Sequence, residues 1–268
     1  MSRIALAFAR AADEGRAAFV GYLTAGDPDP DSTVRLAAAL FRAGADVLEL
    51  GVPFSDPIAD GTVLQRAAAR ALAGGTTLQT VFETARRIRA ETPMALVLFS
   101  YVNPLLRFGV KRAAAAARQA GFDGALLTDV PPEESAIAIP RLRAAGLDTI
   151  LLVSPTSPAR RMRDAARLSS GFLYVVSRPG TTGARDRLPS DLPTTVRRAR
   201  AAAGALPVAI GFGISTPDAA RAAARLADGV VVGSALVRAA EVGGREAAGA
   251  VERLARVLVA ACRREGSR

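Results

Sequence analysis

Histidine is absent from this 268-residue sequence, and with it goes the side chain that most often serves as general base and metal ligand. A Ser-His-Asp or Cys-His hydrolase is excluded, and a metal-dependent sugar-phosphate epimerase or aldolase relying on imidazole ligands is disfavoured. Cys262 is the only cysteine and lies in an amphipathic C-terminal stretch. Neither a disulfide framework nor a thiolate metal cluster is therefore available, and Cys262 reads as a helix residue. Lys111 is the only lysine. It follows Gly109-Val110 at the start of a predicted helix, not at the end of a strand, which closes the route to a Schiff base in a barrel mouth. Tryptophan is missing, aromatic residues are 5% of the chain, and none alternates with basic clusters as a platform for single-stranded nucleic acid needs. No run approaches the roughly 20 apolar residues of a membrane span, so the apolar half of the chain must fill a core.

What the chain has in excess is arginine, which accounts for most of a net charge of +10. Such a balance invites a nucleic-acid reading. The arginines are scattered through Ala-rich helical stretches such as Arg66 to Arg70 and Arg197 to Arg200, however, and codon bias explains them more simply. We expect a soluble cytoplasmic protein with neither a nucleic-acid nor a membrane partner. The start, Met1 to Arg16, puts Ile4, Phe8, Ala11 and Ala12 on one helical face with Arg10 interrupting the apolar run, which suits a packing helix better than a signal peptide.

Eight short aliphatic runs alternate with amphipathic segments. The strand candidates are Ala18 to Leu23, Val47 to Leu50, Ala95 to Phe99, Gly124 to Thr128, Thr149 to Val153, Phe172 to Val176, Val208 to Ile210 and Gly229 to Val232. Predicted helices include Ser32 to Ala43, Leu78 to Ala90, Lys111 to Ala120, Glu133 to Ala145, Ala159 to Leu168 and Thr216 to Leu226. This alternation specifies parallel strands joined by crossover helices. Eight such units in residues 1–268 favour one α/β domain, a (β/α)8 TIM barrel with an extra N-terminal helix, over an open doubly wound sheet. Gly74-Gly75, Gly121 and Gly146 fall where helices should end, and Ser215-Thr216-Pro217-Asp218 offers a cap hydroxyl ahead of a proline. Two connections are long: Gly51 to Gly61 after strand two, and Ser177 to about Pro189 after strand six. Both leave the C-terminal ends of strands, where barrel enzymes build their sites, and both are candidate lids.

With imidazole, thiolate and lysine set aside, carboxylates and tyrosine remain. Glu49 lies inside Asp46-Val47-Leu48-Glu49-Leu50, with Val47 and Glu49 on the face opposite Leu48 and Leu50. One face of a barrel strand points into the lumen. A carboxyl there is costly unless paired or protonated, and desolvation raises its pKa toward the range useful for acid-base work. A buried Glu paired with an arginine is the competing account. Asp60 ends the first long loop, eleven residues on, and can fold back over the barrel mouth. Taken alone it is as readily a turn former or helix cap. Tyr174, inside strand six, reads on its period as a core aromatic. Glycines gather at later strand ends: Gly211-Phe212-Gly213, Gly233-Ser234 and Gly180-Thr181-Thr182-Gly183. Glycine lets backbone N–H groups approach an anion, and the ends of strands seven and eight are the usual phosphate pocket of these barrels.

Taken together, these segments resemble the alpha subunit of tryptophan synthase. The resemblance runs through Phe19 to Pro28, Leu48 to Gly61, Tyr101 to Pro104, Asp129 to Glu134, Ser177 to Gly183, Gly211 to Ser215 and Gly233-Ser234, in order and spacing. It implies retro-aldol cleavage of indole-3-glycerol phosphate to indole and glyceraldehyde 3-phosphate, with no cofactor or metal. By that resemblance Glu49 shuttles protons, Asp60 accepts the indole N–H, Tyr174 lines the indole pocket beside them and counts with them as catalytic, and Tyr22 helps enclose the indole. Thr182 would belong to the closing loop, and Gly183, Gly213, Gly233 and Ser234 would hold the phosphate. It also implies a PLP-dependent beta subunit as partner, two alpha with two beta chains, receiving indole through a tunnel. The contact would fall on Pro53, Asp56, Pro57, Asn103 and Pro104, with Leu105 beside them. The family commonly has proline after Asp60-Gly61. This chain has Thr62, expected to loosen the first lid without touching either carboxylate. Alternatives within reach of the same residues are a free-standing lyase, a ligand-binding allosteric partner without turnover, and a phosphosugar isomerase barrel, which would leave the Asp60 segment unexplained.

Overall fold

Eight aliphatic runs of four to seven residues form strands, and each pairs in parallel with the next until the last closes on the first. They are β1 (Ala18–Thr24), β2 (Val47–Gly51), β3 (Ala95–Ser100), β4 (Gly124–Leu127), β5 (Asp148–Val153), β6 (Leu173–Val176), β7 (Val208–Gly211) and β8 (Gly229–Val232). The computed structural model describes residues 1–177, 188–211, 213–244 and 246–264. Helix α1 (Arg3–Asp13) precedes the barrel and α2 (Pro30–Arg42) follows β1. Between β2 and β3 lie α3 (Thr62–Ala73) and α4 (Leu78–Glu91); between β3 and β4 lie α5 (Val102–Phe108) and α6 (Val110–Gln119). A 3-10 turn (Pro132–Ile137) and α7 (Ile139–Ala144) lead to β5, and α8 (Ala159–Leu168) leads to β6. The outer layer is completed by α9 (Leu192–Ala203), α10 (Pro217–Leu226), α11 (Ser234–Ala240) and α12 (Glu246–Ala261).

The eight strands fall within about two residues of the ranges read from the sequence. The helix expected over Glu133 to Ala145 is broken instead at Ala138. Pro140 has no N–H to give and its ring would strike the carbonyl of Ala136, so a helix cannot run through it. On α1 the buried face is Ile4, Ala7, Phe8 and Ala11, whereas Ala12, expected on it, is exposed. Lys111 lies exposed in the first turn of α6, away from the strand ends. Thr62 is the first residue of α3, and its cap, Gly61, supplies no side-chain hydrogen bond. Proline at that position would have preset the backbone for the helix.

Period two along the strands sorts side chains into two packed sets. Leu48, Leu50, Leu96 and Leu98 face the helices, while Val20, Tyr22, Val47, Val97, Phe99, Tyr174 and Val231 fill the lumen. Ile4 and Phe8 of α1 join the lumen set and plug its N-terminal end. Fit there is tight: a Cβ on Gly124 would lie 2.8 Å from Ile4, and one on Gly229 would lie 2.8 Å from Phe8.

The same end is fastened by aspartates that immediately precede even-numbered strands. Asp46, ahead of β2, accepts the Phe19 N–H of β1 at 2.8 Å and is held by Arg16 and Arg10. Asp123, ahead of β4, accepts the Leu96 N–H of β3 at 3.0 Å and pairs with Arg3 and Arg89. Asp228, ahead of β8, accepts the Val208 N–H of β7 at 3.0 Å and pairs with Arg200. Part of the arginine excess, attributed above to codon bias, thus has a structural use.

Candidate active site

At the opposite, C-terminal end of the strands, Tyr22, Glu49, Asp60, Leu64, Phe99, Tyr174, Gly213, Ile214, Ser215, Val231, Gly233, Ser234 and Ala235 line a cavity. Its empty volume is about 480 Å³, the open portion included. Register brings the pieces together. Tyr22 of β1 pairs with Glu49 of β2, and Glu49 with Val97 of β3, so all three point into the lumen at one level, with Phe99 one step above. Tyr22 and Phe99 meet edge to face, their ring centroids 5.1 Å apart.

Glu49 is 1% exposed, and its Oε1 makes no hydrogen bond among the described residues. Among the described residues no arginine pairs with it to make a structural ion pair. Burial alone pushes its carboxyl up from 4.5 to about 8. Asp60, at the end of the loop that follows β2, is folded back over the barrel mouth as expected, and its Oδ2 accepts the Tyr101 hydroxyl at 3.2 Å. Burial lifts Asp60 to about 6, the Tyr101 hydrogen bond working in the opposite direction. Burial thus sets the two carboxyls of one cavity apart, Glu49 raised further than Asp60. Environments that push two carboxyls apart mark an acid and a base.

Tyr174 is buried on the lumen side of β6, a core aromatic that also lines the cavity. Burial foremost, then the charges of Glu49 and Asp60, holds its hydroxyl well above the ordinary tyrosine range. Both cavity tyrosines rest on glycine. A Cβ on Gly51 would lie 2.1 Å from the Tyr22 oxygen, and one on Gly211 would lie 1.9 Å from the Tyr174 oxygen. The Tyr22 hydroxyl is also 3.3 Å from that of Thr24.

The remaining wall carries backbone. Gly213 lies just past β7 with φ +83°, a conformation that glycine adopts without strain. Gly233 caps α11, and Ser234 and Ala235 open it, where N–H groups lack intrahelical acceptors. Thr182, Gly183 and the rest of the Gly180 to Gly183 segment lie outside the described residues, as does Phe212. Of the expected contact residues, Asp56 and Asn103 are exposed and Pro57 and Pro104 half-buried. Pro53 is buried but lines a groove with Asn103 and Pro104, whereas Leu105 is fully buried in the core and is not part of an exposed face. Leu64, Phe99, Ile214 and Val231 were missed as wall residues. Phe99 was reachable by period two once Glu49 was assigned to the lumen. Tyr101 was noted only within a motif. Among the described residues no group of three or more His, Cys, Asp or Glu side chains could hold a metal ion.

These features define a (β/α)8 barrel with two buried carboxyls in one largely apolar pocket beside strand-end backbone, the make-up of a barrel enzyme. The family model for the tryptophan synthase alpha chain matches residues 8–264. The tryptophan synthase alpha chain of Solibacter usitatus is 50% identical over 248 residues, 92% of each chain, and that of Opitutus terrae is 46% identical over 260 residues, 97% of this chain and 96% of its own. Among solved structures, a chain of Mycobacterium tuberculosis tryptophan synthase superposes with a TM-score of 0.91 at 35% identity, covering 98% of this chain and 99% of that one. The alpha chain from Legionella pneumophila superposes with a TM-score of 0.88 at 35% identity, covering 100% of both. The chain belongs to the tryptophan synthase alpha chain family. It is a lyase that cleaves indole-3-glycerol phosphate to indole and glyceraldehyde 3-phosphate in tryptophan biosynthesis.

Proposed function

We propose that Glu49 and Asp60 carry this cleavage between them. Protonated Glu49 delivers its proton to the indole ring carbon that bears the glycerol chain, giving an indolenine. Its carboxylate then takes the proton of the adjacent glycerol hydroxyl as the carbon-carbon bond breaks, the aldehyde forms and the pair of electrons returns to the ring. Ionised Asp60 accepts the indole N–H, whose acidity rises as the ring is protonated, and so stabilises the intermediate. Tyr22 and Phe99 enclose the ring, Tyr174 lines its pocket, and Gly213, Gly233 and Ser234 receive the phosphate. Thr182 and Gly183 complete the closing loop and phosphate cradle in this reading, outside the described residues. The observation that carries it is the unpaired, fully buried Glu49 Oε1 in one cavity with Asp60.

The chain needs no cofactor of its own in this scheme; PLP belongs to the partner. That partner is a tryptophan synthase beta subunit, in a complex of two alpha and two beta chains, docked on Pro53, Asp56, Pro57, Asn103 and Pro104. Residues 1–268 act as one domain in the cytoplasm. No helix among the described residues is long and apolar enough to cross a membrane.

Variants at the two carboxyls test the roles. Glu49→Gln should lower kcat for indole formation by at least about a hundredfold, the usual scale of general acid-base catalysis. Asp60→Asn should cost at least about tenfold, since a hydrogen bond to a charged group is lost. A Glu49→Gln enzyme within tenfold of wild type would sink the proton shuttle.

A further inference from the structure

One side chain outside the scheme above holds both the first long loop and Asp60. Tyr101 follows β3 directly and is 2% exposed. Its hydroxyl accepts the Ala59 N–H at 2.9 Å and donates to Asp60 Oδ2 at 3.2 Å, while its ring packs on Phe54 with centroids 5.2 Å apart. A single residue thus grips this loop near its start, at Phe54, and at its end, at Ala59 and Asp60. Its own backbone is fixed as well, because the N–H of the next residue, Val102, donates to Asp129 Oδ1 at 2.8 Å.

We propose that Tyr101 is a positioning residue for the cleavage, locking the Asp60 carboxylate in the orientation that receives the indole N–H. A carboxylate on a loop otherwise samples rotamers and moves with its backbone, and small misplacements of a reacting group are expensive in rate. A hydroxyl is the group the geometry needs. It gives its one proton to Asp60 and keeps a lone pair for the Ala59 N–H, so carboxylate and loop backbone are fixed against the same atom. Phenylalanine would keep the ring contact with Phe54 and lose both hydrogen bonds. The proposal rests on the assignment of Asp60 above.

Tyr101→Phe is therefore the informative variant, since it preserves the packed ring; a thermal melt verifies that it folds. The expected result is a kcat for indole formation lowered about tenfold, as for loss of a hydrogen bond to a charged group, with KM changed by less than about twofold. The acid limb of the kcat/KM profile should also move. With Asp60 lifted to about 6 the limb is expected there in the wild type, and the hydroxyl favours the ionised carboxylate, so its removal should shift the limb upward. The titratable groups around Asp60 among the described residues are Tyr101, Tyr22, Glu49 and Tyr174, all neutral where that limb falls. Added to Asp60→Asn, Tyr101→Phe should cost less than about a further twofold, because a residue acting through Asp60 has nothing left to position. Wild-type kcat and an unmoved acid limb in Tyr101→Phe overturn the proposal, as do losses that multiply in the double variant. Wild-type activity in Asp60→Asn overturns the underlying assignment too, which distinguishes that failure from one confined to Tyr101.

Discussion

Glu49 occupies a lumen position that its strand neighbours give to aliphatic residues: Val47 two residues before it and Val97 beside it in register. Placing a carboxyl there opposes folding whenever the group must ionise. Its folded value, about 8, stands above the 4.5 of a free glutamate, so the folded chain keeps a proton that the unfolded chain loses between those limits. Stability linked to Glu49 is therefore complete below about pH 4.5 and lost as pH rises through about 8. Glu49→Gln cannot ionise. In urea melts its stability should match wild type near pH 4.5 and exceed it by several kcal/mol above pH 8. A difference that stays constant with pH would mean that Glu49 is not desolvated. Glu49 was legible in the sequence because a charge interrupts an aliphatic alternation. Asp60 was not legible without the resemblance, since a loop aspartate has many uses, and Tyr101 stood only within a resembling motif, with no role attached. Its role depends on a loop returning to the end of a neighbouring strand, which no local pattern encodes.

At the scale of elements, the strands were readable because runs of four to seven aliphatic residues between turn signals leave little else to form. The seven-residue α5 was not, being too short to display a helical period, and α7 was merged with the preceding turn until Pro140 broke it. The aspartates ahead of β2, β4 and β8 carried no assignment from the sequence, although each ties an odd-numbered strand to the even-numbered strand that follows it. Asp46 is the most enclosed of them, and the Arg16 side chain against it is 10% exposed. Asp46→Ala would leave the Phe19 N–H without its acceptor and take from the Arg16 guanidinium its buried partner, leaving it Glu14. It should cost about 3 kcal/mol or more, the range for breaking a buried pair, while leaving kcat per folded molecule within about twofold. Denaturant unfolding beside an active-site titration checks both halves. A loss below 1 kcal/mol, or a kcat that falls with stability, would contradict a purely structural clamp.

On the whole molecule, the barrel divides its labour by end. The Asp46 and Asp123 strand clamps and the Ile4 and Phe8 plug gather at the N-terminal end of the strands, and both desolvated carboxyls open at the other. That division lets a chain without histidine keep an uncompensated carboxyl in its lumen, since the cost is met far from the site. Of the proposed contact segments, Pro53 to Pro57 lie in the loop that carries Asp60 and Asn103-Pro104 just past the residue that holds it, so a docked partner would press on the proposed catalytic geometry directly. The most direct test is indole formation from indole-3-glycerol phosphate by the purified chain, measured alone and with a tryptophan synthase beta subunit. Slow release alone, accelerated by the beta subunit, is the predicted result. No indole under either condition, from a chain shown to be folded, would contradict the account.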